Sequence, residues 1–112
     1  MLEHFSVNSK DQILVSKSKL FEATSKILLA MRMPDADASL ASDALIEADM
    51  RGCETHGVSN MLRRYVQAYG EGKSNPRPNL RVLRESSTTA TLDADGGLGL
   101  HTALKAMEIA IE

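Results

Sequence analysis

The apolar pattern of this chain changes period once, at Asn75-Pro76-Arg77-Pro78, and that switch limits the folds open to it. Before it, apolar residues recur every three or four positions, the spacing of one face of an α-helix. After it they alternate, the spacing of a half-buried strand. Two prolines remove backbone donors and fix φ, so Lys73 to Asn79 is expected as an extended loop between the two regimes. The class implied is α+β: a bundle of about three helices, then a β-hairpin and a further helix.

Within the first regime, Ser18 is expected to cap a helix over Lys19 to Met31, with Phe21, Ile27, Leu28 and Met31 on its apolar side. Gln12 to Val15 reads as a short strand leading into it, and Met33-Pro34-Asp35 breaks it. Asp35 or Asp37 caps a second helix. Ala38, Ala41, Leu45, Ala48 and Asp49 recur along it, beside Leu40 and Ala44, and the small residues allow close packing. Arg51 suits the negative end of that helix and Gly52 its termination. Val58, Met61, Leu62, Tyr65 and Tyr69 predict a third helix from Val58 to Tyr69, stopped by Gly70 and Gly72.

In the second regime, Leu80 to Glu85 and Thr88 to Asp93 read as strands joined at Ser86-Ser87 in an antiparallel hairpin. Asp95-Gly96-Gly97-Leu98-Gly99 reads as a tight turn that starts a last helix, from Leu100 through Leu104, Met107, Ile109 and Ile111. It lacks the G-x-G-x-x-G spacing and the surrounding βαβ unit of a Rossmann fingerprint. Residues 1–11 carry little pattern and are expected to be disordered. The domain division expected is residues 12–74 as a helical region and 75–112 as loop, hairpin and last helix.

Composition excludes several classes. A chain of 112 residues with 43% hydrophobic and 25% charged residues is an ordinary single soluble domain. Aromatics are scarce, so the core must be aliphatic with methionine. A net charge of −2 leaves no basic footprint for nucleic acid. The turn from Gly52 to Gly57 therefore does not make a DNA-reading helix-turn-helix. Cys53 is the only cysteine, which rules out an internal disulfide and suits a reducing cytoplasm. It is expected as a small buried hydrophobe. The first residues lack the apolar run of a signal peptide, and Ile27 to Met31 is too short to span a bilayer.

The chemistry-bearing stretch is Ala48-Asp49-Met50-Arg51-Gly52-Cys53-Glu54-Thr55-His56-Gly57-Val58-Ser59-Asn60. His56 stands at a helix junction, where an imidazole can give a proton to a carbonyl, hold a carboxylate or take a proton from a hydroxyl. On spacing alone, the favoured alternative is a histidine that caps the third helix or bonds a carbonyl. Glu54 and Asp49 lie near enough to orient it, although solvated helix-end charges explain both. Arg51, Arg63 and Arg64 have the bidentate fork for a carboxylate, and helix surfaces routinely carry arginine. His101 and His4 lack partners at metal-ligand spacing, so no metal site is expected.

Taken in order, several motifs resemble the N-terminal part of the malate/L-lactate dehydrogenase family. They are Ala48 to Gly52, Thr55 to Val58, Arg64-Tyr65-Val66, Asn75 to Pro78, Thr89 to Asp95, Gly97-Leu98-Gly99 and Ala106 to Glu112. These are NAD(P)-dependent 2-hydroxyacid oxidoreductases unrelated to the Rossmann-type lactate and malate dehydrogenases. The resemblance implies hydride transfer between a nicotinamide, NAD or NADP, and a small 2-hydroxy or 2-oxo acid. It puts the family's Ser/Thr-His-Gly motif on Thr55, His56 and Gly57, with His56 as proton donor or substrate ligand and Thr55 orienting it or a ligand. An arginine common four residues after that histidine is Asn60 here, which moves the carboxylate contact to Arg63 or Arg64. Arg51 is then structural, holding the helix junction. Family members are considerably longer, and a second motif, Asn-Ser-x-His, with most nicotinamide contacts lies beyond this chain. The resemblance therefore implies an N-terminal fragment, inactive alone, that begins a larger cofactor-binding domain and forms a homodimer or joins a C-terminal portion. The other expectation is a non-catalytic helical module that assembles with a partner chain.

Overall fold

Helix α1, Lys17–Ala30, and helix α2, Asp35–Met50, form an antiparallel pair around which the rest is built. These helices come from a computed structural model, which describes residues 8–112. A π-helical turn, Val58–Leu62, leads into α3, Arg63–Gly70. Strands β1, Arg81–Glu85, and β2, Ala90–Asp93, make an antiparallel hairpin, and α4, Gly99–Ile111, packs back on α2. The expected α+β order is therefore present: four α-helices and one two-stranded sheet among the described residues.

The core lies where small residues let α1 and α2 approach: Leu28, Met33, Ala38, Ala41, Leu45 and Ile46 are buried. Leu62, Tyr69 and Leu100 pack against it from α3 and α4. Ser25 Oγ donates to Ser42 Oγ at 3.0 Å across the pair, which satisfies a buried hydroxyl that would otherwise cost stability.

Helices α1, α2 and α3 end in the same way. In each, two successive amides beyond the helix bond back to carbonyls of the last turn: Arg32 to Leu29 and Met33 to Leu28, Gly52 to Asp49 and Cys53 to Ala48, Gly72 to Tyr69 and Lys73 to Ala68. This closure requires a left-handed residue, which is Gly52, Gly72 and, at α1, Arg32 with φ 70°. At α1 the apolar contact of the closure is Leu28 with Met33, both in the core.

Two strands alone are marginal in water. Here the hairpin is anchored through its flanks. Asn79 N–H donates to Asp95 Oδ2 at 3.1 Å and Asn75 N–H to the Gly96 carbonyl at 2.9 Å. Gly97 has no room for a side chain, since a Cβ there would lie 2.6 Å from Pro78 Cγ. Arg77 Nε donates to the Arg32 carbonyl at 3.0 Å and so ties this loop to the end of α1.

Several expectations are corrected. Gln12 to Val15 forms no strand; Ile13, Leu14 and Val15 are exposed, with no sheet edge beside them to complete a ladder. Helix α1 starts at Lys17 after Ser16, and Ser18 lies inside its first turn, its hydroxyl bonded to Ser16 Oγ instead of capping. Pro34 precedes α2, so neither Asp35 nor Asp37 caps it. The hairpin link is longer than Ser86-Ser87, because the Ser86 amide and hydroxyl bond Thr89 and close a four-residue turn. Cys53 is exposed, since the α2 closure carries it outward. The disorder expected over residues 1–11 lies partly outside the described residues; Ser9–Asp11 form a short 3-10 turn. Among the described residues no helix is long and apolar enough to cross a membrane.

Candidate active site at the α2–α3 junction

Helix α2 ends at Met50, and the chain reverses at Gly52 into a 3-10 turn, Glu54–His56. The π-helical turn follows after Gly57. Its period hides within the helical spacing of Val58 to Tyr69, so the expected single helix appears as two segments with different hydrogen bonding.

Three side-chain bonds set this junction. Asp49 Oδ2 accepts the Val58 N–H at 2.9 Å, joining the last turn of α2 to the first residue of the next helix. Asn60 Nδ2 donates to the Glu54 carbonyl at 2.7 Å. Thr55 Oγ1 and His56 Nδ1 lie 2.8 Å apart. Asp49 is therefore no freely solvated charge, as expected from sequence, but half-buried and bonded. Gly57 is buried against it, and a Cβ there would fall 1.5 Å from Asp49 Oδ1.

His56 is exposed, with Nδ1 engaged by Thr55 and its other ring nitrogen turned to no protein partner among the described residues. It neither caps the third helix nor bonds a carbonyl. Arg63 and Arg64 are exposed on the first turn of α3, and neither side chain makes a hydrogen bond or ion pair among the described residues. No bond joins them to Thr55 or His56. Arg51 pairs with Glu47 at 2.7 Å on its own helix, so it does not hold the junction as expected. A cavity of about 630 Å³ lies beside the junction, walled by Leu14, Leu20, Ile46, Met50 and Val58 together with Asp49 and Glu54. His56 is not among its walls. Among the described residues no group of three or more His, Cys, Asp or Glu is placed to hold a metal ion.

A second polar cluster was not anticipated. Asp37, buried on α2, forms an ion pair with Lys105 Nζ at 2.5 Å and lies 3.9 Å from Nε2 of the fully buried His101. Among the described residues, neither ring nitrogen of His101, nor the buried Tyr69 hydroxyl, has a hydrogen-bond partner. Burial pushes the His101 imidazole below its ordinary range; Asp37 opposes this and Lys105 adds to it. Burial, reinforced by Asp37, pushes Tyr69 up to about 12. The signal available in sequence was the i, i+4 spacing of Asp37, Ala41 and Leu45, which puts the aspartate on the core face.

Comparison with known proteins identifies the family of the chain. The family model described as malate/L-lactate dehydrogenase matches residues 15–112. The malate dehydrogenase of Pyrococcus abyssi is 38% identical over 103 residues, covering 92% of this chain and 28% of the relative. The L-sulfolactate dehydrogenase of Methanocaldococcus jannaschii is 36% identical over 86 residues, covering 77% of this chain and 25% of the relative. In structure, the malate dehydrogenase of Pyrococcus horikoshii superposes with a TM-score of 0.88 at 37% identity, covering 95% of this chain and 30% of that one. The chain thus spans between a quarter and a third of the length of these relatives and corresponds to their N-terminal part. With both the match to the family model and the superposition in hand, the chain belongs to the malate/L-lactate dehydrogenase family.

Proposed function

We propose that the protein containing this chain oxidises or reduces a small 2-hydroxy or 2-oxo acid with a nicotinamide, NAD or NADP, and that His56 moves the proton. The observation carrying this is the Thr55–His56 contact on an exposed, firmly tied turn. Oxidation of a 2-hydroxy acid separates a hydride at C2 from a proton at the hydroxyl, and the residues here speak to the proton. With Nδ1–H donating to the Thr55 hydroxyl, the imidazolium can give its Nε2 proton to a 2-oxo group, and the neutral ring that remains has an Nε2 lone pair for the proton of a 2-hydroxyl in the reverse direction. One Thr55-bonded ring thus serves both directions. Arg63 and Arg64 are the candidates for the substrate carboxylate, since both forks are exposed and uncommitted among the described residues.

The glycine-rich turn before α4 does not fit a dinucleotide. It is already filled: Asp95 is taken by Asn75 and Asn79, and Gly97 lies against Pro78 and Thr102. No step is therefore routed through the cofactor here. We assign residues 12–74 to a helical part carrying His56 and 75–112 to the start of a larger cofactor-binding domain. Exposed Leu83, Met107 and Ile111 support association with further polypeptide, either a C-terminal portion or the second subunit of a homodimer. The same surface supports the alternative of a helical interaction module without chemistry. The single cysteine favours a reducing compartment, the cytoplasm.

The test is titration with NAD(H) and NADP(H), then turnover on a panel of 2-oxo acids, for the 112-residue chain alone and with a C-terminal portion supplied. Only the enzyme reading expects cofactor-dependent turnover to appear with the added portion. His56→Ala should then lower kcat by roughly 10²–10⁴-fold. Turnover unaffected by that substitution removes His56 from the chemistry.

A further inference from the structure

We propose that Asp49 is the positioning residue for His56, fastening the end of α2 to the start of the next helix so that the turn between them holds one shape. This deepens the acid–base assignment of His56 and rests on it. The placement of Asp49 is otherwise unfavourable. A carboxylate in the last turn of α2 sits at the negative end of that helix dipole. Its oxygen instead accepts the Val58 N–H, at the positive end of the following helix, nine residues on. The charge is misplaced for the helix that carries it and well placed for the helix it reaches.

The fit around that bond is close. Gly57 is buried, and with φ −86° its backbone does not require glycine; the requirement comes from the Asp49 carboxylate occupying the space of a side chain. His56 is bonded through its backbone N–H to the Cys53 carbonyl at 2.9 Å, and Gly57 N–H to the Glu54 carbonyl at 3.3 Å. Asn60 draws the far side of the turn in through the same Glu54 carbonyl. His56 is thus adjacent to a residue that Asp49 immobilises, and the Thr55–His56 contact depends on the turn keeping this form. The side chain that meets substrate and the one that fixes it are seven positions apart, and the Asp49 side chain reaches the turn through Gly57 and Val58.

The experiment uses the 112-residue chain and reads His56 by NMR, at a pH where its imidazole is neutral, beside hydrogen exchange at the Val58 amide. The parent is expected to show one dominant tautomer and a protected amide. Asp49→Ala should give averaged tautomer signals and roughly tenfold faster Val58 exchange, as expected for loss of one charge-assisted bond. Asp49→Asn keeps the shape and an acceptor oxygen and should retain the parent signature. Gly57→Ala, which crowds the carboxylate off Val58, is the second perturbing variant if Asp49→Ala does not fold. An unchanged His56 signature in either folded perturbing variant, or its loss in Asp49→Asn, overturns the proposal. The readout needs no turnover. Should His56→Ala leave catalysis intact, the acid–base assignment fails while the tautomer signals and Val58 exchange still report whether Asp49 holds the turn.

Discussion

At the scale of single residues, the junction separates what a side chain does from what its type suggests. Thr55 stands beside His56 in sequence, yet its effect comes from the 2.8 Å contact between Oγ1 and Nδ1. Thr55→Val keeps the shape and removes the partner. In an active preparation it should lower kcat by about tenfold or less, the range of one hydrogen bond, and leave KM nearly unchanged. Arg63 and Arg64 make the opposite claim. The one that holds the carboxylate should raise KM by roughly 10–150-fold on replacement by alanine, the equivalent of about 1.5–3 kcal/mol for a bond to a charged group. The other should have little effect. Steady-state kinetics of the two single variants, on a 2-oxo acid and its 2-hydroxy product, distinguishes them. Equal and small effects would place the carboxylate elsewhere.

At the scale of elements, helix ends account for most of what could and could not be read from sequence. Gly52 and Gly72 announce their closures because glycine takes the left-handed conformation freely. Arg32 does the same work with φ 70° and announces nothing, since an arginine there costs about 1–2 kcal/mol against glycine. Arg32→Gly should therefore raise stability by about 1 kcal/mol, seen as a higher denaturant midpoint with an unchanged m-value. The Arg77–Arg32 bond uses a backbone carbonyl and survives the change. The same logic explains the legible and illegible parts of the fold. Helix, hairpin and last helix follow from the period switch at Asn75 to Pro78. The split of the third helix does not, because a π-turn and an α-turn share nearly the same apolar spacing over a few residues. The expected strand at Gln12 to Val15 failed for a different reason: β-propensity requires a neighbouring edge, and none stands beside Ile13 to Val15 among the described residues. His56 and its glycine were legible as a helix junction. The Asp49–Val58 bond was not, because nothing in sequence spacing records which helix a terminal carboxylate will serve.

At the scale of the whole molecule, the helical pair and the α4 segment meet through a buried polar cluster, and this makes their attachment sensitive to pH. The charged groups acting on His101 are Asp37 on α2 and Lys105 on its own helix, and Asp37 also acts on the Tyr69 hydroxyl of α3. Since burial lowers the folded-state pKa of His101, the folded chain binds the proton less readily than the unfolded chain does. Stability is then full above the unfolded value of about 6.5 and declines as pH falls through it, levelling off below the folded pKa. The slope in that window is at most about 1.4 kcal/mol per pH unit for one group. Carboxylates act in a different range. Asp93, held low first by the Asp95 N–H and then by Arg81, contributes above its ordinary value of 3.8 and is lost only in stronger acid. The two windows separate in a series of thermal melts. His101→Leu should abolish the decline just below neutrality while leaving the acid limb in place. It should also raise stability at neutral pH by about 1–2 kcal/mol, because two buried ring nitrogens without partners disappear. A variant that melts lower than the parent at neutral pH, or that keeps the slope, would mean the imidazole has partners in solution that these contacts do not include. If the expected pattern holds, α4 is joined to the bundle by a contact that weakens in mild acid, at a distance in sequence from the His56 turn and independent of its chemistry.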